Sequence, residues 1–238
     1  MSQTRPIAIL VTGEPVREAW EVGGRFHEMI ETAAGRPWAG RFMTIEGVDS
    51  GALPAPRLFS GVVVTGSPAS VTEELPWMQR TASWLREAQH EGLWVLGLCF
   101  GHQLLAWALG GTVTRRPAGP EVGTVRADVL GADTLFDGRP DDLLVNMMHY
   151  DSVAIPPPHA DILARTAQEP HAALRFAERV WGVQFHPEFD AAIVRGYLSA
   201  RRPDLEGWGL DVRRISAALA DTPAATRVLR RFLAAVDG

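Results

Sequence analysis

Strand-sized apolar runs recur in the first hundred residues of this 238-residue chain, each followed by a stretch with helical spacing. That alternation limits the fold more than any other feature. "PIAILVT" (6–12) reads as a first strand, the amphipathic "PVREAWEVGGRFHEMIETAA" (15–34) as a helix, and "RFMTIEGV" (41–48) as a short strand. "GVVVTG" (61–66) is a strand ending in a glycine turn. "PWMQRTASWLREAQHEG" (76–92) opens on proline and closes on glycine, as helix ends prefer. The near-continuous apolar "LWVLGL" (93–98) then runs into a helix, "GHQLLAWALGG" (101–111), stopped by paired glycines. Apolar strands alternating with helices form a mostly parallel sheet with helices on both faces. From about Thr112 to Val183 the pattern changes: "EVGTVRADVL", "HYDSVAI", "DILARTA", "AALRFAE" and "VWGVQF" read as shorter strands joined by turns. These are expected to add antiparallel or edge strands to the same sheet. Residues 190–238 read as mostly helical, with a break at "RRPDLEGWG" and a final amphipathic "AATRVLRRFLAAV". The expectation is one α/β domain over 1–238, with a core of about 6–190 and a helical C-terminal extension of about 190–238.

Several functional classes fall away. No apolar run is long enough to span a bilayer. The N-terminus holds one arginine and a five-residue apolar run, too short for a signal-peptide core. A net charge of −5 without a basic cluster argues against a nucleic-acid partner. All 23 basic residues are arginine, which removes the lysine that a Walker-type phosphate loop or a pyridoxal-phosphate Schiff base requires. No cofactor and no metal are expected. The single cysteine forms no intrachain disulfide, which fits a reducing cytoplasm, the expected location.

That cysteine, Cys99, sits where a parallel strand ends and a helix begins, with Gly97 and Gly101 on either side. Sites in open α/β sheets form at the carboxyl ends of the strands. The spacing resembles the Gly-x-Ser-x-Gly nucleophile elbow, in which a sharp turn holds the nucleophile proud of the sheet. The glycines remove side chains where strand and helix backbones crowd together. A helix N-terminus favours thiolate, and the backbone N–H of Phe100 is placed to bind an oxyanion. A buried cysteine in an apolar run can equally be a small core residue, so its partners decide.

A thiol nucleophile needs a base, and the base needs an orienting group. "GVQFHPEF" offers both: a strand runs into His186, which stands at the sheet edge, Pro187 stiffens the turn, and Glu188 can accept the other ring N–H. The remaining histidines compete less well. His27 and His90 lie in helical patterns, and His159 and His171 in proline-flanked loops. His102 follows the elbow and reads equally as packing or pocket wall. His149, in "NMMHYDSV", competes for the site wall.

"GLCFGHQLL" followed by "FHPE", with His186 lying 87 positions beyond Cys99, resembles the triad-type class I glutamine amidotransferases. The likeness is greatest to stand-alone members similar to the glutaminase part of GMP synthase. "VVVTGSPASV" resembles the family's oxyanion loop, "GPEVG" its Glu-Ile-Gly segment and "MMHYDSV" its histidine-containing loop, so the matches span roughly 6–190. The resemblance implies a flavodoxin-like sheet and thiol hydrolysis of the glutamine side-chain amide. Cys99 would attack the amide carbon and His186 would protonate the departing ammonia, with Glu188 orienting it. The backbone N–H groups of Phe100 and Ser67 would hold the oxyanion. Gly66, Gln103 and the region of His149 and Tyr150 would contact the substrate.

Ser67 departs from the family's usual second glycine, although a backbone donor survives that change. The helical extension is not explained by the amidase core. Three readings stay open. One is an amidotransferase component supplying ammonia to a separate synthetase. Another is a self-sufficient γ-glutamyl hydrolase or peptidase. The third is a non-catalytic binding protein on the same fold. L-glutamine or a γ-glutamyl compound is the expected ligand of the first two.

Overall fold

The computed structural model describes residues 5–48, 51–136 and 143–238. In chain order the strands are β1 (Ile7–Val11), β2 (Phe42–Glu46), β3 (Gly61–Val64), β4 (Trp94–Leu98), β5 (Thr112–Arg115), β6 (Glu121–Val129), β7 (Leu143–His149), β8 (Asp151–Ile155), β9 (Asp161–Thr166), β10 (Ala173–Ala177) and β11 (Val180–Val183). The helices are α1 (Arg17–Gly23), α2 (Phe26–Ala34), α3 (Pro76–His90), α4 (Phe100–Ala108), α5 (Ala191–Ala200), α6 (Arg202–Gly207), α7 (Val212–Ala217) and α8 (Pro223–Asp237).

Among the described residues, nine strands form one sheet in the order β2-β1-β3-β4-β11-β10-β9-β6-β7. From β2 through β11 every pairing is parallel; from β11 to β7 every pairing is antiparallel. β11 therefore lies in the middle of the sheet, at the seam between its two halves, beside β4. The architecture is the flavodoxin-like one, a mixed sheet whose core strands are mostly parallel, with helices around it and a helical C-terminus.

The apolar runs explain the layers. Every residue of β1 is buried, Ile7, Ile9 and Val11 toward one face and Ala8 and Leu10 toward the other. The first face packs on Ile30 of α2 and on Val228, Leu229, Phe232 and Leu233 of α8. The second packs on Met78 and Leu85 of α3 and on Leu104 and Leu105 of α4. Burying each such aliphatic side chain is worth about 1.5–3 kcal/mol. A third apolar cluster, at the carboxyl end of the sheet, joins Phe26, Met148, Phe189, Ile193 and Tyr197.

Three details differ from the sequence expectation. The helix expected over 15–34 is two helices, because Gly24 turns the backbone at φ 81° and the Glu28 carboxylate accepts the Arg25 N–H, starting α2 afresh. β5 and β8 pair with each other in a separate two-stranded sheet instead of joining the main one. "HYDSVAI" is split: His149 ends β7, Tyr150 bends, and β8 begins at Asp151. Among the described residues no helix is long and apolar enough to cross a membrane, and no group of three or more His, Cys, Asp or Glu side chains is arranged to hold a metal ion.

Candidate active site

β4 passes into α4 with Cys99 alone between them, at φ 50° and ψ −98°. A non-glycine residue held there stores about 1–3 kcal/mol of backbone strain. The surrounding packing enforces it. A Cβ on Gly97 would stand 2.4 Å from the Gly101 carbonyl oxygen, and a Cβ on Gly101 would stand 2.5 Å from the Val64 carbonyl oxygen. β3, β4 and α4 thus meet backbone to backbone. The Cys99 N–H donates to the Val183 carbonyl at 2.8 Å, which ties the elbow to β11.

Beyond β11 the chain reaches His186, whose N–H donates to the Asn146 carbonyl at 2.9 Å. The Asn146 side-chain amide in turn donates to the Phe189 carbonyl at 3.0 Å, so β7 holds both ends of the His-Pro-Glu turn. The imidazole lines the same cleft as Cys99, near enough for the charge of one to act on the other. Its Nδ1 lies 2.7 Å from Glu188 Oε1. One imidazole edge sits by Gly66, where a Cβ would come within 3.2 Å of Cε1. A ring face lies flat on Phe189, with centroids 3.9 Å apart and planes 3° from parallel. Phe189 is backed by Tyr197 of α5 at 5.3 Å. Burial alone would depress the His186 pKa, but the Glu188 carboxylate and Cys99 outweigh it and hold the imidazolium up to about 10. Imidazole and carboxylate are thus directly bonded, and the thiol shares their cleft.

The loop after β3 is fixed from below. Thr12, just past β1, donates its hydroxyl to the Gly66 carbonyl at 3.0 Å, and its N–H donates to Thr65 Oγ1 at the same distance. Gly13 leaves room for this loop, since a Cβ there would meet Pro68 at 2.6 Å. Ser67 and Phe100 both line the cleft that holds Cys99. Among the described residues no acceptor engages either backbone N–H. The Ser67 hydroxyl accepts the Ala69 N–H at 3.2 Å, a local turn that leaves its own N–H outside.

The cleft has a volume of about 190 Å³ and is also lined by Gln103, His149, Tyr150 and His186. Gln103 donates to the Asp151 carbonyl at 2.8 Å and to Gln184 Oε1 at 3.0 Å. His149 is buried, between the Asp151 carbonyl at 2.8 Å and Glu121 Oε2 at 3.2 Å. Arg116 and Glu169 complete this buried charge cluster at 3.2 Å from each other. Glu121 belongs to "GPEVG", so the segment matched by resemblance braces the His149 wall. The Tyr150 hydroxyl donates to Asp204, and its ring carries the Arg115 guanidinium 4.5 Å above the centroid.

Of the other histidines, His102 is fully buried, with no hydrogen-bond partner for either ring nitrogen among the described residues. Burial above all, and then the charges of His171 and His149, lower its pKa to about 3, so it is a neutral core group. His171 lies in the turn between β9 and β10, as expected, with its Nδ1 2.6 Å from the Val153 carbonyl. Sequence reasoning missed Gln184, whose amide donates to Cys99 Sγ at 3.5 Å, as well as Asn146 and Phe189. Gln184 carries a faint signal, a polar residue at the end of the apolar "VWGV".

Residues 49–194 match the family model described as glutamine amidotransferase class-I. Glutamine-hydrolyzing GMP synthase from Aeropyrum pernix is 45% identical over 129 residues, covering 54% of this chain and 24% of that protein. A Saccharolobus solfataricus protein, named as one of the subunits of glutamine-hydrolyzing GMP synthase, is 37% identical over 133 residues, covering 56% of this chain and 69% of that one. The chain thus matches about a quarter of the length of the longer relative. A glutamine amidotransferase structure from Methylobacillus flagellatus superposes with a TM-score of 0.77 at 28% identity, covering 97% of this chain and 95% of that one.

Proposed function

Since this chain belongs to the class-I glutamine amidotransferase family, we propose that it hydrolyses the side-chain amide of glutamine through a γ-glutamyl thioester on Cys99. The observation that carries this reading is the meeting of Cys99 and His186 on one cleft, with Cys99 at a strained elbow and Glu188 bonded to the imidazole. With the imidazole charged at neutral pH, Cys99 attacks the amide carbon as thiolate. The oxyanion is met by the N–H groups of Phe100 and Ser67, preorganised donors of a kind worth about 2.7–4 kcal/mol each. His186 then gives its proton to the departing nitrogen, ammonia leaves, and the γ-glutamyl group stays on sulfur. Neutral His186 next takes a proton from water; the hydroxide adds to the thioester, the C–S bond breaks, and glutamate and the thiol are released. Glu188 holds Nδ1 and stabilises the imidazolium throughout.

The amide nitrogen of Gln103 is engaged by Asp151 and Gln184, which leaves its oxygen for the substrate. The wall at His149 and Tyr150 bounds the other side. Since the Aeropyrum and Saccharolobus relatives are named as GMP synthase and as part of one, ammonia released here is proposed to pass to a separate synthetase.

The test is glutamate release by the purified protein from L-glutamine and from γ-glutamyl dipeptides, with Cys99→Ala as blank. Turnover of glutamine lost in Cys99→Ala is expected. Weak turnover together with labelling of Cys99 by a glutamine-mimicking electrophile supports an amidotransferase waiting for its synthetase. Rapid release from dipeptides alone would replace the amidotransferase reading by a γ-glutamyl peptidase. Activity retained in Cys99→Ala, or neither turnover nor labelling, would end the thioester mechanism.

A further inference from the structure

Five charged side chains other than histidine line the cleft: Glu14, Glu73, Arg115, Asp151 and Arg201. Four are engaged within the protein. Glu14 faces Arg25 at 3.5 Å, and Glu73 accepts the Ser70 N–H at 2.9 Å. Arg115 lies 3.6 Å from Asp151, which also accepts from the Ser70 hydroxyl. Arg201 differs. Among the described residues its guanidinium has no hydrogen bond and no ion pair, and its charge acts on the hydroxyl ends of Tyr150 and Tyr197, both on the cleft wall. The cleft therefore holds one positive charge with no counterpart among the described residues. Cys99 and Arg201 line the same cleft of about 190 Å³.

We propose that Arg201 is the carboxylate-binding residue of this cleft, and that the helical C-terminal segment sets which γ-glutamyl compounds are accepted. The proposal rests on the reading above, which places a γ-glutamyl amide over Cys99. Such a molecule offers a carboxylate and no phosphate, and a guanidinium fork matches a carboxylate in two parallel hydrogen bonds. Arg201 closes α5 and opens α6, so its position depends on the turn between these helices. Neither helix supplies a triad residue, and this contact gives the segment a chemical task. The carboxylate has two sources: the α-carboxylate of the γ-glutamyl unit, or the terminal carboxylate of a γ-glutamyl peptide.

The experiment measures binding by calorimetry to full-length Cys99→Ala protein, with and without Arg201→Ala, so that no turnover intervenes. The ligands are L-glutamine, glutamine with its α-carboxylate amidated, γ-glutamyl-alanine, and γ-glutamyl-alanine with its terminal carboxylate amidated. Arg201 is exposed, so its removal leaves the core intact. The expected result is a preference of about tenfold or more for the free carboxylate, lost in Arg201→Ala and partly restored in Arg201→Lys. If the lost preference lies between glutamine and its α-amide, the α-carboxylate is the group bound. If it lies only between the two dipeptides, the terminal carboxylate is. A preference that survives Arg201→Ala, or none in the parent, overturns the proposal. Hydrolysis of the same four compounds by the protein with Cys99 intact separates the two ideas: carboxylate-selective binding with no turnover and no labelling would remove the enzymatic reading and leave the subsite.

Discussion

An imidazolium that persists at neutral pH inside a protein needs something to replace the water around it. For His186 the Glu188 carboxylate does so at one nitrogen and the face of Phe189 does so against the ring. A cation over an aromatic face gains about 0.5–2 kcal/mol, more when desolvated. Phe189→Leu is therefore expected to lower kcat about tenfold with KM little changed, and to move the basic limb of the kcat/KM profile to lower pH, whereas Phe189→Tyr retains both. An unshifted basic limb in Phe189→Leu would reduce Phe189 to packing. The same pairing predicts how stability depends on pH. The His186 pKa is raised in the folded state from 6.5 to about 10, so its stabilising contribution is complete below 6.5 and is lost as pH rises toward 10. Urea midpoints measured across that window should fall less steeply in Glu188→Gln than in the parent. An equal or steeper fall in the variant would show that the carboxylate does not sustain the charge.

The elbow belongs to the scale of elements, since it exists only because three backbones touch. Gly101→Ala drives a Cβ to 2.5 Å from the Val64 carbonyl oxygen, a contact that backbone movement alone can relieve. It is expected to cost about 1–3 kcal/mol by denaturant unfolding, with loss of activity at temperatures where the fold persists. Full activity in a folded Gly101→Ala protein would mean that the elbow tolerates the displacement. This element was legible in the sequence because a fully buried strand reads as an unbroken apolar run, and because glycines at that spacing have few other uses. The break between α1 and α2 was not, since helical periodicity continues across Gly23 and Gly24 and only the Arg25–Glu28 cap restarts the helix. The separate β5–β8 pair was illegible for another reason: its partners lie some forty residues apart, and strand composition alone does not name a partner. Cys99, His186 and Glu188 could be found as residue types that chemistry requires. Asn146, Gln184 and Phe189 act through what they touch, and nothing in their own identity announces that.

At the scale of the whole molecule, the helical C-terminal region is joined to both the core and the site. Val228, Leu229, Phe232 and Leu233 of α8 are buried beneath the sheet with Trp181. Their loss would expose about 6–12 kcal/mol worth of apolar contacts, comparable to the stability of an entire domain. A chain ending at residue 222 is accordingly expected to lose cooperative unfolding, followed by circular dichroism in urea, and a sharp native-like transition in it would show that α8 is dispensable. The seam has a consequence of a different kind. Among the described residues β11 is the last strand in chain order, yet it inserts between β4 and β10, and His186 follows directly behind it. A chain being synthesised thus carries its cysteine for 87 residues before the histidine exists. Through that interval the ribosome extends a protein with the proposed nucleophile and without its proposed base, which cannot begin the proposed chemistry. The order of the strands acts as a clock, and the proposed site is completed only after every described strand of the sheet has been made.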